Sequence, residues 1–493
     1  MMPSMVPWLG IGLLVLVGCG IVFTGLPAAV VLIIAACLGA AAGAIGGDVP
    51  IGLLAALPGR LINLLETDLM QAIPLYVLMG VLINRLPLAE ALYRSALAIL
   101  PRGPAAPVVS GIALGALLGP MNGSVGASVL ALSRVVEPRL AASGIALPRR
   151  AAVIVAASTL GVVVPPSLVL ILLGDAMLSA HTIAVTATGR DDRVINTQDV
   201  FHGALAPAGI YLAAALLIAW WFNRNTKPGK IVTTATEARP TRGQAMLAAV
   251  TVLAIVTLLG GVAAGYFYAV EAAAMGGFVL LAAGLAGGRL PLPVLGDVLR
   301  EVLALTGALF FLLLAATTLT LVLRILGTDQ LVASWIAAIP GGRLTAVTAV
   351  LAGIGLTALV LDAFEIIFVV VPIVIPPLLI RVDDARWVAV LVLLTLQASF
   401  LNPLIGYAVM MTRTVLKGEI ASVALLRSLL PYLVAQGALL IAVLLVPQLT
   451  HIGESAADRS RKPPAISNQE LEHRFEQMVP ALEPPPLDVT PGK

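Results

Sequence analysis

The sequence predicts an all-α, polytopic membrane protein built from inverted repeats, with two re-entrant helical hairpins and discontinuous helices. Three observations predict it. Of the 493 residues, 59% are apolar and only 11% are charged, whereas a soluble domain carries about 25% charged residues. Apolar runs recur along the chain at the length of about 20 residues that a span needs. Some of these runs are broken in their middle, and the breaks recur in matched order in the two halves.

The plain spans are expected at 8–25, 27–46, 70–84, 151–178, 204–222, 244–264, 268–286, 304–326, 387–412 and 426–448. Met1 to Trp8 hold no Lys or Arg, so the positive flank of a signal peptide is lacking and the first run is expected to remain as a helix. The regions 105–132 and 344–380 are apolar but interrupted, and each reads as a re-entrant hairpin. Segments 51–66 and 88–100, and also 292–303, mix apolar residues with charges such as Arg60, Glu90 and Asp297, as interfacial helices do. The tail 452–493 is proline-rich and polar and is expected to be disordered.

Charge in the loops orients the chain. Loop 223–243 holds Arg224, Lys227, Lys230, Arg239 and Arg242 against Glu237, so it is expected in the cytoplasm. Loop 179–203, one span away, falls outside. Counting in both directions, the two hairpins dip from opposite sides. The net charge of +3 is small and scattered, which does not suggest nucleic acid. Cys19 and Cys37 lie in apolar runs and imply no disulfide framework. No phosphate loop and no metal-spaced His/Cys/Asp group occurs.

The first break is Gly119-Pro-Met-Asn122-Gly123-Ser124-Val-Gly126-Ala-Ser128. About 40 residues on, Ser158, Thr159, Gly161, Pro165 and Pro166 interrupt the span 151–178. In the second half Asp362 and Glu365 sit inside the hairpin, and Asn402, Pro403 and Gly406 interrupt 387–412. Irregular backbone at membrane depth is tolerated only where protein buries it or it lines a wet cavity. Proline stops a helix and frees upstream carbonyls; glycine lets backbone approach a ligand. Freed carbonyls with Ser, Thr and Asn oxygens suit a small hard cation, and half-helix N-termini suit a carboxylate. Paired breaks in inverted repeats point to a midplane site. A carboxylate at mid-bilayer costs about 2.5–3.5 kcal/mol or more, so Asp362 and Glu365 are candidates for function. Asp175 and Glu271 fit interfacial anchoring and helix-dipole pairing instead. A membrane enzyme would need convergent His, Asp or Ser–Lys groups at depth, and a scaffold subunit has no use for paired breaks.

At these motifs the chain resembles the large membrane subunit of tripartite ATP-independent periplasmic (TRAP) transporters, over about residues 8–448. The matching segments are Pro74-Leu-Tyr-Val-Leu-Met-Gly80, Asn122-Gly-Ser-Val-Gly-Ala-Ser128, Ser158-Thr-Leu-Gly-Val-Val-Val-Pro-Pro-Ser167 and Tyr268-Ala-Val-Glu-Ala-Ala273. Leu361-Asp-Ala-Phe-Glu-Ile366 and Ile171-Leu-Leu-Gly-Asp175 resemble the branch labelled mannitol/chloroaromatic. The family's Thr-Pro-Pro-x-Gly is here Asn402-Pro-Leu-Ile-Gly406, an amide in place of a hydroxyl and one proline fewer.

The resemblance implies a permease subunit in a bacterial inner membrane, of an elevator type like the wider ion-transporter superfamily. It implies import of an organic anion, a carboxylate, with sodium as the coupling ion and no cofactor or catalysis. The implied partners are a separate small four-helix membrane subunit and a periplasmic substrate-binding protein. A stand-alone sodium–dicarboxylate symporter or antiporter is the alternative. The implied units are 1–104 (N-terminal spans and scaffold), 105–178 and 344–413 (transport domain), 179–343 (connecting and scaffold helices), 414–451 (last span) and 452–493 (tail).

The orientation is directly testable. With Cys19 and Cys37 replaced, a single cysteine at Thr188 is expected to react with an impermeant thiol reagent applied outside intact cells, and one at Thr234 to be spared. The reverse pattern would invert the whole topology.

Overall fold

A computed structural model of the chain describes residues 6–45, 55–100, 103–122, 124–225, 240–403, 406–416 and 418–452. Gly123, most of the loop 223–243 and all of the tail beyond residue 452 lie outside the described residues. Every regular element described is helical.

Spans α1 (Val6–Thr24) and α2 (Ala28–Ile45) pack on each other. Helix α3 (Leu57–Leu65), with 9 residues, is about 14 Å long and too short to cross. Span α4 (Asp68–Arg85) turns by 64° into the short α5 (Leu88–Ile99). Hairpin 1 is α6 (Ala106–Leu118), a 3₁₀ turn at Gly119–Met121 and α7 (Val125–Val135), followed by the short α8 (Glu137–Ala142). A discontinuous helix comes next, α9 (Leu147–Val163) and α10 (Leu168–Thr188), then α11 (Thr197–Asn223).

Spans α12 (Arg242–Ala263) and α13 (Ala269–Ala286) separate the halves. The second half runs α14 (Leu292–Ile325), the short α15 (Thr328–Ala338) and the first arm of hairpin 2, α16 (Arg343–Thr357). The second arm is α17 (Ala363–Glu365), a π-helical segment Ile366–Val370 and α18 (Val371–Arg381). A second discontinuous helix follows, α19 (Ala385–Phe400) and α20 (Tyr407–Val415), and then α21 (Ser422–Leu445). The order span, short helix, hairpin, broken helix, span therefore occurs twice.

Local chemistry explains the breaks. Pro165 and Pro166 donate no amide hydrogen, which removes two of the bonds that would carry α9 on, and the helix ends at Val163; the two prolines are joined by a cis bond. Ser167 Oγ then accepts from Leu170 N at 3.2 Å and caps α10. Helix α11 starts at an Asn196/Asp199 capping box and α12 at a Thr241/Gln244 box.

The hairpins enter from opposite ends. Arg150, at the start of α9, pairs with Glu137 below the base of hairpin 1. Arg190, just past the end of α10, pairs with Asp383 and donates to Leu379 O at 2.6 Å at the base of hairpin 2. One helix path thus links the two bases. The best membrane window of α9–α10 is 94% buried in protein, against 17% for α1 and for α12. The broken helix is the core of the bundle, and α1 and α12 show most of their surface to whatever surrounds it.

The structure differs from the sequence expectation in three places. Segment 292–303 is not a separate interfacial helix. It is the start of the 34-residue α14, about 51 Å long, and its Glu301 pairs with Arg85 of α4 at 2.8 Å. Helix α5 packs one face, Leu88, Ala89, Ala91, Leu92 and Tyr93, into the protein, and Glu90 pairs with Arg94 and Arg139, contacts the sequence did not anticipate. Helix α15 was not expected, because 11 residues with little apolar excess leave no span-like signal.

Among the largest fully buried side chains is Trp387, whose indole N–H donates to Val443 O at 2.7 Å and ties α19 to α21. Trp387→Ala is expected to remove about 3–5 kcal/mol of stability, read as a lower unfolding temperature in detergent. An unchanged unfolding temperature would show that α21 is held by other contacts.

Candidate functional site

The tip of hairpin 1 lies against the first broken helix, glycine on glycine. A Cβ on Gly119 would come within 2.6 Å of Gly161 Cα, and one on Gly161 within 2.4 Å of Gly119 C. Only a pair without side chains permits this crossing. Gly161 is thus used for backbone packing, where the sequence suggested approach to a ligand. Beside the crossing is a cavity of about 10 Å³, lined by Gly119, Pro120, Ser124, Ser128, Ser158 and Gly161 among others. That is about the space one water occupies.

The cavity's polar groups favour a cation. Ser158 Oγ is fully buried and donates its proton to Val155 O at 2.9 Å, so only lone pairs remain. Behind the lining, Asn122 Nδ2 donates to the cavity's Ser128 Oγ at 3.1 Å, while its own buried Oδ1, which does not line the cavity, has no donor. Ser128 Oγ lies 3.2 Å from Ser124 O, and Ser124 Oγ caps α7 by accepting from Ala127 N at 3.1 Å. An unsatisfied buried acceptor costs about 1–3 kcal/mol. Thr159 turns away, donating to Ala156 O at 3.0 Å, and does not line the cavity. Pro165 and Pro166 act by ending α9. No group of three or more His, Cys, Asp or Glu that could hold a metal exists among the described residues. The ligands on offer are neutral oxygens, which suit a hard monovalent ion rather than a transition metal.

The second half is built differently. Asp362 is the N-cap of α17, its Oδ1 accepting from Ala363 N at 2.7 Å, and Glu365 accepts from Asp362 N. The two carboxylates form a reciprocal capping box rather than a pair presented on one helical face. Caps are worth about 1 kcal/mol each, less than the roughly 2.5–3.5 kcal/mol that a mid-bilayer carboxylate costs. No Lys or Arg among the described residues pairs with either, so a counter-charge is wanted here too. At the second break, Gly406 N donates to Asn402 O at 2.9 Å, and a Cβ on Gly406 would lie 2.5–2.6 Å from the carbonyls of Asn402 and Phe400. This turn gathers carbonyl oxygens around Asn402, Pro403 and Gly406.

Tyr407, which opens α20, joins the halves and was missed in the sequence. A Cβ on Gly126 would stand 2.7 Å from its hydroxyl, so the ring rests on hairpin 1. The ring also lies within electrostatic reach of Asp362 and meets Phe400 edge-on at 6.4 Å. Gln397 is a second omission. It is fully buried in α19, and neither amide atom has a partner among the described residues. Both follow or interrupt an apolar run, the only signal the sequence offered.

Opposed hairpins meeting two broken helices in a buried core define a multi-pass membrane transport fold. The chain belongs to the family described as tripartite ATP-independent periplasmic transporter, DctM component, which matches residues 13–449. It is 20% identical over 79% of its length to the 2,3-diketo-L-gulonate TRAP transporter large permease protein of Escherichia coli, covering 87% of that protein. It is 28% identical over 44% of its length to the C4-dicarboxylate TRAP transporter large permease protein of Rhodobacter capsulatus, a match spanning 48% of that relative. In fold it is similar to the Alcanivorax borkumensis YdaH transporter, with a TM-score of 0.56 at 15% identity, over 80% of this chain and 87% of that one. The chain is accordingly a multi-pass protein of a bacterial inner membrane and a permease subunit rather than an enzyme.

Because the Gly119–Gly161 crossing is a packing contact, Gly161→Ala is expected to destabilise the protein by about 1–3 kcal/mol through overpacking. The loss should be seen in thermal unfolding without any ion or substrate. Stability equal to the parent, with only ion or substrate dependence altered, would instead assign Gly161 to the ligand.

Proposed function

We propose that this chain is the permease of a binding-protein-dependent secondary transporter that imports an organic anion, a carboxylate, together with sodium. The observation that carries the sodium reading is the cavity at the hairpin 1 tip lined by Ser124, Ser128 and Ser158, with the lone pairs of Ser158 Oγ available in it. The carboxylate reading is supported by the names of the relatives, which specify C4-dicarboxylate and 2,3-diketo-L-gulonate. The 10 Å³ cavity suits the ion and is far too small for such an anion. In this reading the anion sits instead between the hairpin tips, near Tyr407 and the second break.

In this reading the hairpins and broken helices, 105–178 and 344–413, move as one body against a scaffold formed by the N-terminal spans, α12, α13 and α14. Helices α11 and α21 pack on each other and mainly on α6, α9, α10 and α19, so they travel with the moving body. The partners are a small four-helix membrane subunit, bound on exposed apolar faces of the scaffold, and a periplasmic protein that delivers substrate. Asp362, Glu365 and the Asn402–Gly406 turn supply the second half of the ion and substrate site, and sodium is the coupling ion.

The test is uptake into proteoliposomes holding the chain and its partners, without ATP, under a sodium or a potassium gradient. Uptake is expected with sodium alone. Ser158→Ala is expected to raise the half-saturating sodium concentration roughly tenfold, the effect of losing one oxygen that faces a charge, at unchanged membrane abundance. Equal uptake under both gradients would sink the sodium coupling.

A further inference from the structure

A second and much larger cavity lies away from the broken helices. It has a volume of about 340 Å³, which falls in the range of small-molecule sites. Its walls come from α3, α10, α14 and the π-helical segment of hairpin 2. Arg60 of α3 and Arg324 of α14 supply two guanidinium groups, and Asp175 supplies one carboxylate. The rest of the wall is mainly apolar, including Leu64, Ile183, Leu313, Ile367 and Phe368.

The arginines are the unusual feature. Neither makes a hydrogen bond or ion pair with another described residue. Partial burial, and after it the nearby charge of Arg324, lower the pKa of Arg60 from its ordinary value. Two like charges held in range of each other, with no protein acid paired to either, leave room and need for an anion. With Asp175 counted, the wall carries one net positive charge, which matches a monoanion.

The surroundings indicate what kind of anion. Ile183, in the wall, is 38% exposed, and Ile62 and Leu65, flanking the α3 wall, are 55% and 63% exposed. In a membrane-spanning bundle such a rim faces acyl chains. The π-helical turn adds a polar seam, because Thr320 Oγ1 approaches Phe368 O at 3.4 Å across the cavity wall. A small hydrophilic acid has no use for the apolar wall, and an uncharged lipid has no use for the arginines.

We infer that this cavity binds a monoanionic amphiphile, with its head on Arg60 and Arg324 and its apolar body along Ile183 and Phe368, and that the membrane's own anionic phospholipid is its source. The site lies where α14 meets the second arm of hairpin 2, so its occupant touches both.

Native mass spectrometry and thermal unfolding of the full-length chain in detergent test this, with dioleoyl phosphatidylglycerol, dioleoyl phosphatidylcholine or decanoate added. The parent is expected to retain phosphatidylglycerol in preference to phosphatidylcholine and to unfold at a higher temperature with it. A basic residue near a lipid anion is worth about fivefold in affinity, so the double variant Arg60→Gln, Arg324→Gln should bind phosphatidylglycerol roughly 25-fold more weakly. Ala180→Trp fills the cavity with both charges intact and should also abolish retention, while its unfolding temperature without lipid reports whether it is folded. Retention of decanoate with no preference for phosphatidylglycerol assigns the cavity to a soluble acid and overturns the lipid. Equal retention of both phospholipids by the parent and the variants overturns the anion site.

Discussion

In hydrocarbon, an amide that loses its helical partner has no water to replace it. Each break in this chain must therefore be wrapped in protein, and the architecture follows from that need. The first broken helix, α9–α10, is the most buried of the long apolar helices among the described residues. Hairpin 1 covers its break so closely that the two backbones cross at Gly119 and Gly161. Opposed hairpins then become necessary, because a break in mid-membrane can be reached by a short hairpin from one end only. The second break needs the same service from the other end, and hairpin 2 provides it.

The two halves share this plan but not its chemistry. The first is lined with neutral oxygens, with the serine protons directed to backbone carbonyls and one amide oxygen left over. The second carries two carboxylates tied to helix-capping amides, and a turn of carbonyls around Gly406. Tyr407 of the second half leans on Gly126 of the first, within electrostatic range of Asp362. A change in one hairpin therefore has two routes to the other, through this ring and through the α9–α10 path that packs on both hairpins. Ser124 and Asp362 each give an oxygen to a helix N-terminus, so only their remaining lone pairs are free of the cap.

Much of the fold was legible from composition and spacing. Long apolar runs read as spans, and clusters of proline, glycine and polar residues within them read as breaks, because both follow from backbone hydrogen bonding; single prolines such as Pro74, Pro207 and Pro431 stay inside continuous helices. The pairing of breaks in two halves was visible for the same reason. The short α5 and α15 were harder. Helix α5 mixes charges with buried leucines, as an interfacial helix does, and α15 is too brief to stand out. Segment 292–303 was misjudged because its charges suggest an interface, yet Glu301 has a partner in Arg85 and the helix simply runs on.

By itself, then, the sequence determined the class of protein, the positions of the breaks and the residue types around them, since each depends on neighbours along the chain. Tertiary structure alone decided which of those residues face a common space. That Gly161 serves packing, that Thr159 turns away, that Asp362 and Glu365 cap a helix and that Tyr407 bridges the hairpins all depend on contacts across large sequence separations. The cavity between Arg60 and Arg324, residues 264 positions apart, has no local signature for the same physical reason: charge, void and apolar wall come from four different helices.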